Sequence, residues 1–349
     1  MRLSIVIPVL NSEKTLPACL AAIAAQTLPR TDYEIVIADA GSSDRTVSIA
    51  RAAGVDVITA NPLRTGEAGK TAGIKAAHGE LIALVDSDNI LPDPTWLARM
   101  LVPFADPDVL ATEPISYTVR PQDPALTRYF ALLGMNDPLC LFTRNYDRTC
   151  VLTNRWTGLD VAQEDRGDWL KLRLTGDALP TIGANGFVFR RSLLDGANWD
   201  PYLFDIDILY ERILRDGTVS VAKVKTGIVH LYCARLGDFA RKQRRRIRDF
   251  LYFAQEKRRT YPWNRQRRAG IVLFCLSTVT VLPLLAQMLI GMRRRWDVAW
   301  LYHVPVCMLT LAIYGLGAFA RLLGRRPAPA DRTNWQKEPA YRPGAAMRE

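Results

Sequence analysis

Histidine is scarce in this chain, with three in 349 residues, and cysteine is sparse. Cys19, Cys140, Cys150, Cys233, Cys275 and Cys307 are scattered without the paired spacing of zinc ligands. Neither a zinc site nor a disulfide framework is therefore indicated, and a reducing compartment is the simplest reading. Acidic residues are also in deficit, 35 against 46 Lys and Arg, for a net charge of +11. No long apolar run occurs before residue 235. The first residues already read as a strand, so no secretory leader is expected.

The strand signals come early. Leu3 to Val9, Glu34 to Ala38, Val55 to Ile58 and Leu81 to Val85 are short apolar, β-branched runs. Helix-like stretches lie between them at Thr15 to Ala25, Asp44 to Ala53 and Gly69 to Ala77. That alternation predicts βαβ units and a parallel sheet. Asp39 ends the second strand and leads into Gly41-Ser42-Ser43-Asp44, a turn whose Asp44 is placed to cap the next helix.

Asp86-Ser87-Asp88 follows the fourth strand directly, with Asn89, Pro92 and Pro94 behind it. Ligands of open α/β sheets bind at such carboxyl ends of strands. Hard oxygen ligands there suit Mg²⁺ or Mn²⁺, held through one or two carboxylates plus a substrate's phosphates. By itself a two-carboxylate turn is more often plain solvated surface.

Three strings together carry a resemblance. Ser4-Ile5-Val6-Ile7-Pro8-Val9-Leu10-Asn11, Ala38-Asp39-Ala40-Gly41-Ser42-Ser43-Asp44-Arg45-Thr46 and Val85-Asp86-Ser87-Asp88 resemble the family 2 glycosyltransferases in order and approximate spacing. The resemblance covers roughly residues 1–250. It implies an α/β GT-A fold with a mixed, mainly parallel sheet, a nucleotide-diphospho sugar donor and a divalent metal cofactor. It implies that Asp39 reads the nucleobase, that Pro8 and Asn11 line the nucleotide pocket, and that Asp86 and Asp88 hold ribose and metal–diphosphate. Where the family often shows Arg-Asn, this chain has Lys70-Thr71; Lys70 would supply charge to the diphosphate without arginine's fork, or is a solvated helix-start lysine. Arg64 is a weaker candidate of the same kind.

The acceptor half begins after Asp88. Glu113 to Tyr117 reads as a strand, and Gly183-Ala184-Asn185-Gly186 resembles the family's acceptor-side loop. Counting back from Arg212 and Gly217 puts Asp205 at the family's Glu-Asp position, with Asp207 just beyond it. Either would remove the proton from an acceptor hydroxyl, the other capping the helix. A phosphate acceptor would need no base. His230 sits where some members carry a histidine, although a lone histidine is more often structural. Gln243-Arg244-Arg245-Arg246 resembles the Gln-x-x-Arg part of a processive synthase motif, with Ile247 in place of its tryptophan. Arg246 is the candidate for the donor diphosphate there.

Between Arg241 and Arg268, twelve Lys and Arg face only Asp249 and Glu256. Phe239, Ile247, Phe250, Leu251 and Phe253 interleave with them, as in a helix on an anionic membrane surface. Nucleic acid is not expected as a partner, since phosphate binding leaves the following apolar runs unexplained. Ala269 to Met292 and Val298 to Ala320 carry no charge and each exceeds the ~20 residues that cross a bilayer. Trp263 and Trp296, with Arg265, Arg267, Arg268, Arg321, Arg325 and Arg326, flank them as interface anchors.

The expected organisation is a GT-A domain over 1–236, a basic amphipathic segment over 237–268, two transmembrane helices over 269–323 and a disordered tail over 324–349. The expected function is inverting transfer to a lipid or lipid-linked glycan at the inner membrane, catalysed on the cytosolic side. A processive polysaccharide synthase and a non-catalytic membrane scaffold are the alternatives. The missing tryptophan argues against the first, and the retained carboxylates against the second.

Overall fold

The computed structural model describes residues 3–183, 185–255, 259–262 and 268–323. Ala184, Trp263, Arg265, Arg267, Arg325, Arg326 and the tail over 324–349 lie outside the described residues. The chain divides into two compact units. The first takes residues 3–114 and 161–230, and the second takes 115–160 and, of the described residues, those from 231 to 323. The segment 115–160 thus packs with the C-terminal helices.

In the first unit the apolar runs become strands almost as read. β1 is Leu3–Val9; α1, Leu16–Ala24, opens with Pro17, whose ring suits a first turn. β2 is Tyr33–Asp39, α2 Thr46–Ala52, β3 Val57–Ala60 and α3 Gly66–Ala76. β4 is Leu81–Leu84, and β5 is the two-residue Asn89–Ile90. α4, Trp96–Leu101, and β6, Val109–Tyr117, follow. Asp44 accepts the Thr46 N–H at 2.9 Å and so tethers the start of α2.

The second unit begins with α5, Ala125–Leu133, and α6, Leu139–Thr143. The chain then returns to the first unit for β7, Ala162–Asp165, β8, Trp169–Leu174, and β9, Phe187–Arg190. α7, Asp205–Asp216, and β10, Val219–His230, complete that unit.

The strand order is β3-β2-β1-β4-β9-β6-β10-β8-β7, with β5 paired to β10. β1 pairs in parallel with both β2 and β4, and β2 with β3, whereas β9 runs antiparallel to β4. Parallel strands buried on both faces need continuous apolar sequence, which is why Ile5, Val6, Ile82 and Ala83 are all fully buried. The chain leaves β1 toward β2 on one side and returns to β4 on the other. That reversal opens a crevice at the carboxyl ends of β1 and β4. At the opposite ends of the strands, buried Glu34 accepts from Ser4 Oγ and from the His78 N–H, each at 2.6 Å, and ties β1 and β2 to the turn before β4.

α3 approaches β1 through two glycines. A Cβ on Gly69 would lie 2.8 Å from Pro8 Cβ, and one on Gly73 would lie 2.3 Å from Val6 Cγ1. Between them sits Lys70, so this close contact fixes where its ammonium is delivered.

The second unit closes around an apolar core. Leu126, Tyr129, Phe130 and Leu133 of α5 pack with Tyr232, Phe239 and Trp300. α8 is Leu236–Gln255, α9 Arg268–Thr280, α10 Leu282–Arg294 and α11 His303–Leu322. The stretch read as a first transmembrane helix is two 13-residue helices, α9 and α10, bent by 92°. The physical cause is local: Val281 sits at φ 64° and Pro283 withholds a backbone donor in the first turn of α10. Among the described residues one helical stretch, Val298–Leu322, is long and apolar enough to cross a bilayer.

Gly73→Ala is expected to lower stability by about 1–3 kcal/mol through overpacking against Val6. Gly66→Ala, with open space around the added carbon, is expected to be neutral or slightly stabilising. Urea unfolding of both variants checks the contrast.

Candidate active site

The loops after β1, β2 and β4 are knitted into one rim. Asn11 takes the left-handed conformation at φ 50°. Its N–H donates to Ser42 Oγ at 2.9 Å, and its Oδ1 accepts the Ser43 N–H at 2.8 Å. Asp39 accepts from the Gly41 and Ser42 N–H groups at 3.2 and 3.1 Å and from Ser42 Oγ at 2.6 Å. Asn11 and Asp39 therefore shape adjoining turns, and Pro8, within β1, meets α3 at Gly69. Ser87 Oγ donates to Ser12 Oγ at 3.0 Å, which joins the two-carboxylate turn to the same rim.

Behind Asp86 stands Asn89, fully buried. Its Oδ1 accepts the Asp86 N–H at 3.0 Å, and its Nδ2 donates to Asn185 Oδ1 at 2.9 Å. The β4 turn and the Gly183–Gly186 loop are thereby fixed to each other. His230, the last residue of β10, pairs in register with Asn89 and brings Nε2 to 3.6 Å from Asp88 Oδ1. The histidine that sequence left as a lone residue thus lies beside a candidate metal ligand.

Lys70 and Asp205 meet in an ion pair. Lys70 is thus not the solvated helix-start lysine of the alternative sequence reading, and at least one of its donors is engaged by a carboxylate. Asp205 is the first residue of α7, whose N-cap position is Phe204, so Asp205 does not cap that helix. Its side chain is 12% exposed, and its Oδ1 finds no hydrogen-bond partner among the described residues. Burial pushes the Asp205 carboxyl up to about 6, with the Lys70 ammonium pulling it partly back. Burial works against the Lys70 ammonium too, but the Asp205 and Asp86 carboxylates outweigh it and hold the lysine above its ordinary value. Asp207 is 2% exposed.

A buried pair underlies this corner. Lys223 Nζ of β10 donates to Glu113 Oε2 of β6 at 2.5 Å, both side chains fully buried. Glu113 Oε1 accepts the Gly183 N–H at 3.0 Å. Gly183 has φ +131°, and a Cβ there would lie 2.1 Å from Asp205 Cβ. Only glycine fits both the backbone angle and the contact. Sequence reading assigned no role to Asn89, Glu113 or Lys223. The available signal was Glu113 as the one charge of β6 and Lys223 set among the valines of β10, with Lys225 two residues on.

Arg246 belongs to the second unit. Its Nη1 donates to Asn136 O at 3.1 Å and Gln243 Oε1 at 2.9 Å and lies 3.4 Å from Asp137 Oδ2. Pro8, Asn11, Asp39, Lys70, Asp86, Asp88, Asp205 and Asp207 all belong to the first.

A parallel half-sheet with its crevice at the β1/β4 reversal, rimmed by carboxylates, is a GT-A-like α/β fold. Residues 4–155 match the family model described as glycosyl transferase family 2, and this segment belongs to that family. Glycosyltransferase AglE of Haloferax volcanii is 27% identical over 167 residues, 46% of this chain and 54% of that protein. The poly(ribitol-phosphate) beta-glucosyltransferase of Bacillus spizizenii is 37% identical over 97 residues, 26% of this chain and 15% of that one. The chain thus spans about half, or less, of the length of these relatives. Mannosyltransferase PcManGT of Pyrobaculum calidifontis, solved in complex with GDP-Man and Mn²⁺, superposes with a TM-score of 0.52 at 18% identity, over 93% of this chain and 88% of that one. At that identity the likeness is one of fold.

Glu113→Gln, which leaves Lys223 buried without its counter-charge, is expected to cost about 3–5 kcal/mol. The double variant Glu113→Gln/Lys223→Met is expected to recover much of that loss. Denaturant unfolding of the single and double variants checks it.

Proposed function

We propose that this chain is an inverting glycosyltransferase, moving one sugar from a nucleotide-diphospho sugar to a hydroxyl of a lipid or lipid-linked glycan at the cytosolic face of the inner membrane. The observation that carries the reading is Asp205. One of its oxygens is held by Lys70, the other is buried with no hydrogen-bond partner among the described residues, and its carboxyl is pushed up to about 6, close to the working range of a general base. Asp207, buried within α7, is the poorer base.

In this scheme Pro8, Asn11 and Asp39 cradle the nucleotide and Asp86 meets the ribose. Asp205 Oδ1 takes the proton from the acceptor hydroxyl, whose oxygen attacks the anomeric carbon as the bond to the diphosphate breaks on the opposite face. A single in-line displacement inverts the sugar. Lys70 keeps Asp205 oriented and ionised, and its positive charge would offset the charge that develops on the diphosphate.

A divalent ion suits the donor set. Asp88 and His230 converge, offering carboxylate oxygen and imidazole nitrogen, a combination compatible with Mn²⁺. Among the described residues no group of three or more metal-type side chains forms, so substrate phosphates would supply the remaining ligands. When bound, the ion would neutralise charge on the leaving diphosphate.

Asp205→Asn is expected to lower the transfer rate about 10²–10⁴-fold while leaving nucleotide affinity nearly unchanged. Activity of the native protein is expected to fall as pH drops through about 6, because the base must be ionised. A screen of nucleotide-sugar turnover in detergent, with a pH profile, reads both; full activity of Asp205→Asn would remove the base assignment. Asp88→Ala and His230→Ala are each expected to weaken Mn²⁺-dependent UDP or GDP binding, measured at equilibrium with and without EDTA. Metal-independent binding equal to that of the native protein would overturn the ligand assignment.

A further inference from the structure

We infer that the helices α8 to α11 form a platform embedded in one leaflet of an anionic membrane, and that none of them crosses it. The first observation is that α9 starts and α10 ends against the segment 115–160 of the second unit. At the start of α9, Gly270 packs so closely on α6 that a Cβ would lie 2.5 Å from the Phe142 carbonyl oxygen. At the end of α10, Arg294 Nη1 donates to the carbonyls of Val151 and Leu152 at 3.1 and 2.7 Å. Asp297, just beyond, takes a forked pair of bonds from Arg128, both 2.9 Å. Both ends are thus anchored in the segment 115–160, with the 92° bend at Val281 between them. A 13-residue helix is about 20 Å long, short of a hydrocarbon core of about 30 Å.

The second observation concerns α11, the stretch that passes for a span by length and composition. His303 at its start bonds Tyr129 Oη and Gln287 Oε1 at 2.9 and 2.8 Å. Tyr314 Oη donates to Asp137 and, at 3.1 Å, to Gln243 Oε1. Gly317 packs on Ile247 of α8. Tyr314 lies four residues, about 6 Å, from the middle of Val298–Leu322. A spanning α11 would carry the Asp137–Arg246 pair, and α8 with it, to the bilayer centre, where charged side chains are strongly disfavoured.

The third observation is the charge and polarity of what remains outside. Val272, Leu276, Val279, Leu282, Leu289 and Leu316 are exposed on α9 to α11. Arg241, Arg244, Arg245 and Arg248 of α8, and Arg293 to Arg295 after the bend, are exposed as well. Apolar side chains that enter a leaflet, bordered by arginines that meet anionic headgroups, describe an interfacial anchor. This inference rests on membrane association alone; labelling and sugar transfer are scored independently, so either can fail without the other.

The test uses full-length protein in sealed membrane vesicles of a single known orientation. Arg241→Cys, Arg293→Cys and Val279→Cys are treated with a membrane-impermeant maleimide, and modification is read peptide by peptide so that native cysteines do not interfere. Arg241→Cys and Arg293→Cys are expected to react from the same side at rates within about threefold, and Val279→Cys to stay protected until detergent is added. Reaction of Arg293→Cys only from the face opposite Arg241→Cys would overturn the inference in favour of a spanning hairpin. In a flotation assay, vesicles containing phosphatidylglycerol are expected to retain at least tenfold more protein than phosphatidylcholine vesicles at low salt. Equal retention would overturn the anionic-surface part, and no retention on either the whole.

Discussion

Glu113 holds two partners at once, the Lys223 ammonium and the Gly183 N–H, in the fully buried middle of the first unit. Through the ammonium it joins β6 to β10; through the N–H it fixes the loop that touches Asp205. Burying an ion pair is a poor route to stability, since desolvation offsets most of the attraction. Its value here is positional. With Gly183 pinned, Asn185 meets Asn89, Asn89 holds the backbone of Asp86, and the start of α7 has only one place to sit. Asp86 and Asp205 are thus located by neutral amides, one hidden carboxylate and the Lys70 ammonium rather than by each other.

That arrangement leaves Asp205 in an unfavourable setting. Its carboxyl holds a proton up to about 6, against an ordinary value of 3.8. A raised carboxyl contributes stability only while protonated: the contribution is complete below about pH 4 and is lost as pH rises through about 6. The fold therefore keeps this group charged at neutral pH at some cost to itself, with Lys70 limiting the cost. A group held so is a common mark of a reacting site.

Much of the first unit was legible in sequence because buried parallel strands leave continuous apolar runs. Leu3 to Val9 is a strand over the same residues, and the other three early runs fall within two residues of their strands. The rim was legible too, since Asn11, Asp39, Asp86 and Asp88 all follow strand ends. What was not legible depends on distant pairing. Nothing near Lys70 in the chain announces Asp205, 135 residues away. His230, a lone histidine by sequence, was brought beside Asp88 by its register with Asn89. The bend at Val281 was hidden because hydropathy counts apolar residues and is blind to a backbone angle; Pro283 was its visible trace.

The interleaving of the two units has a consequence for synthesis. α5 emerges from the ribosome with an apolar face of Leu126, Tyr129, Phe130 and Leu133, yet Phe239 and Trp300, which cover it, are made more than a hundred residues later. At about 5–20 residues per second the nascent chain carries that face uncovered for roughly five to thirty-five seconds. The first unit can close in the meantime, since its last strand ends at His230. During that interval α5 is a ready client for a chaperone or for the membrane itself, and a chain shortened after residue 235 would never leave that state.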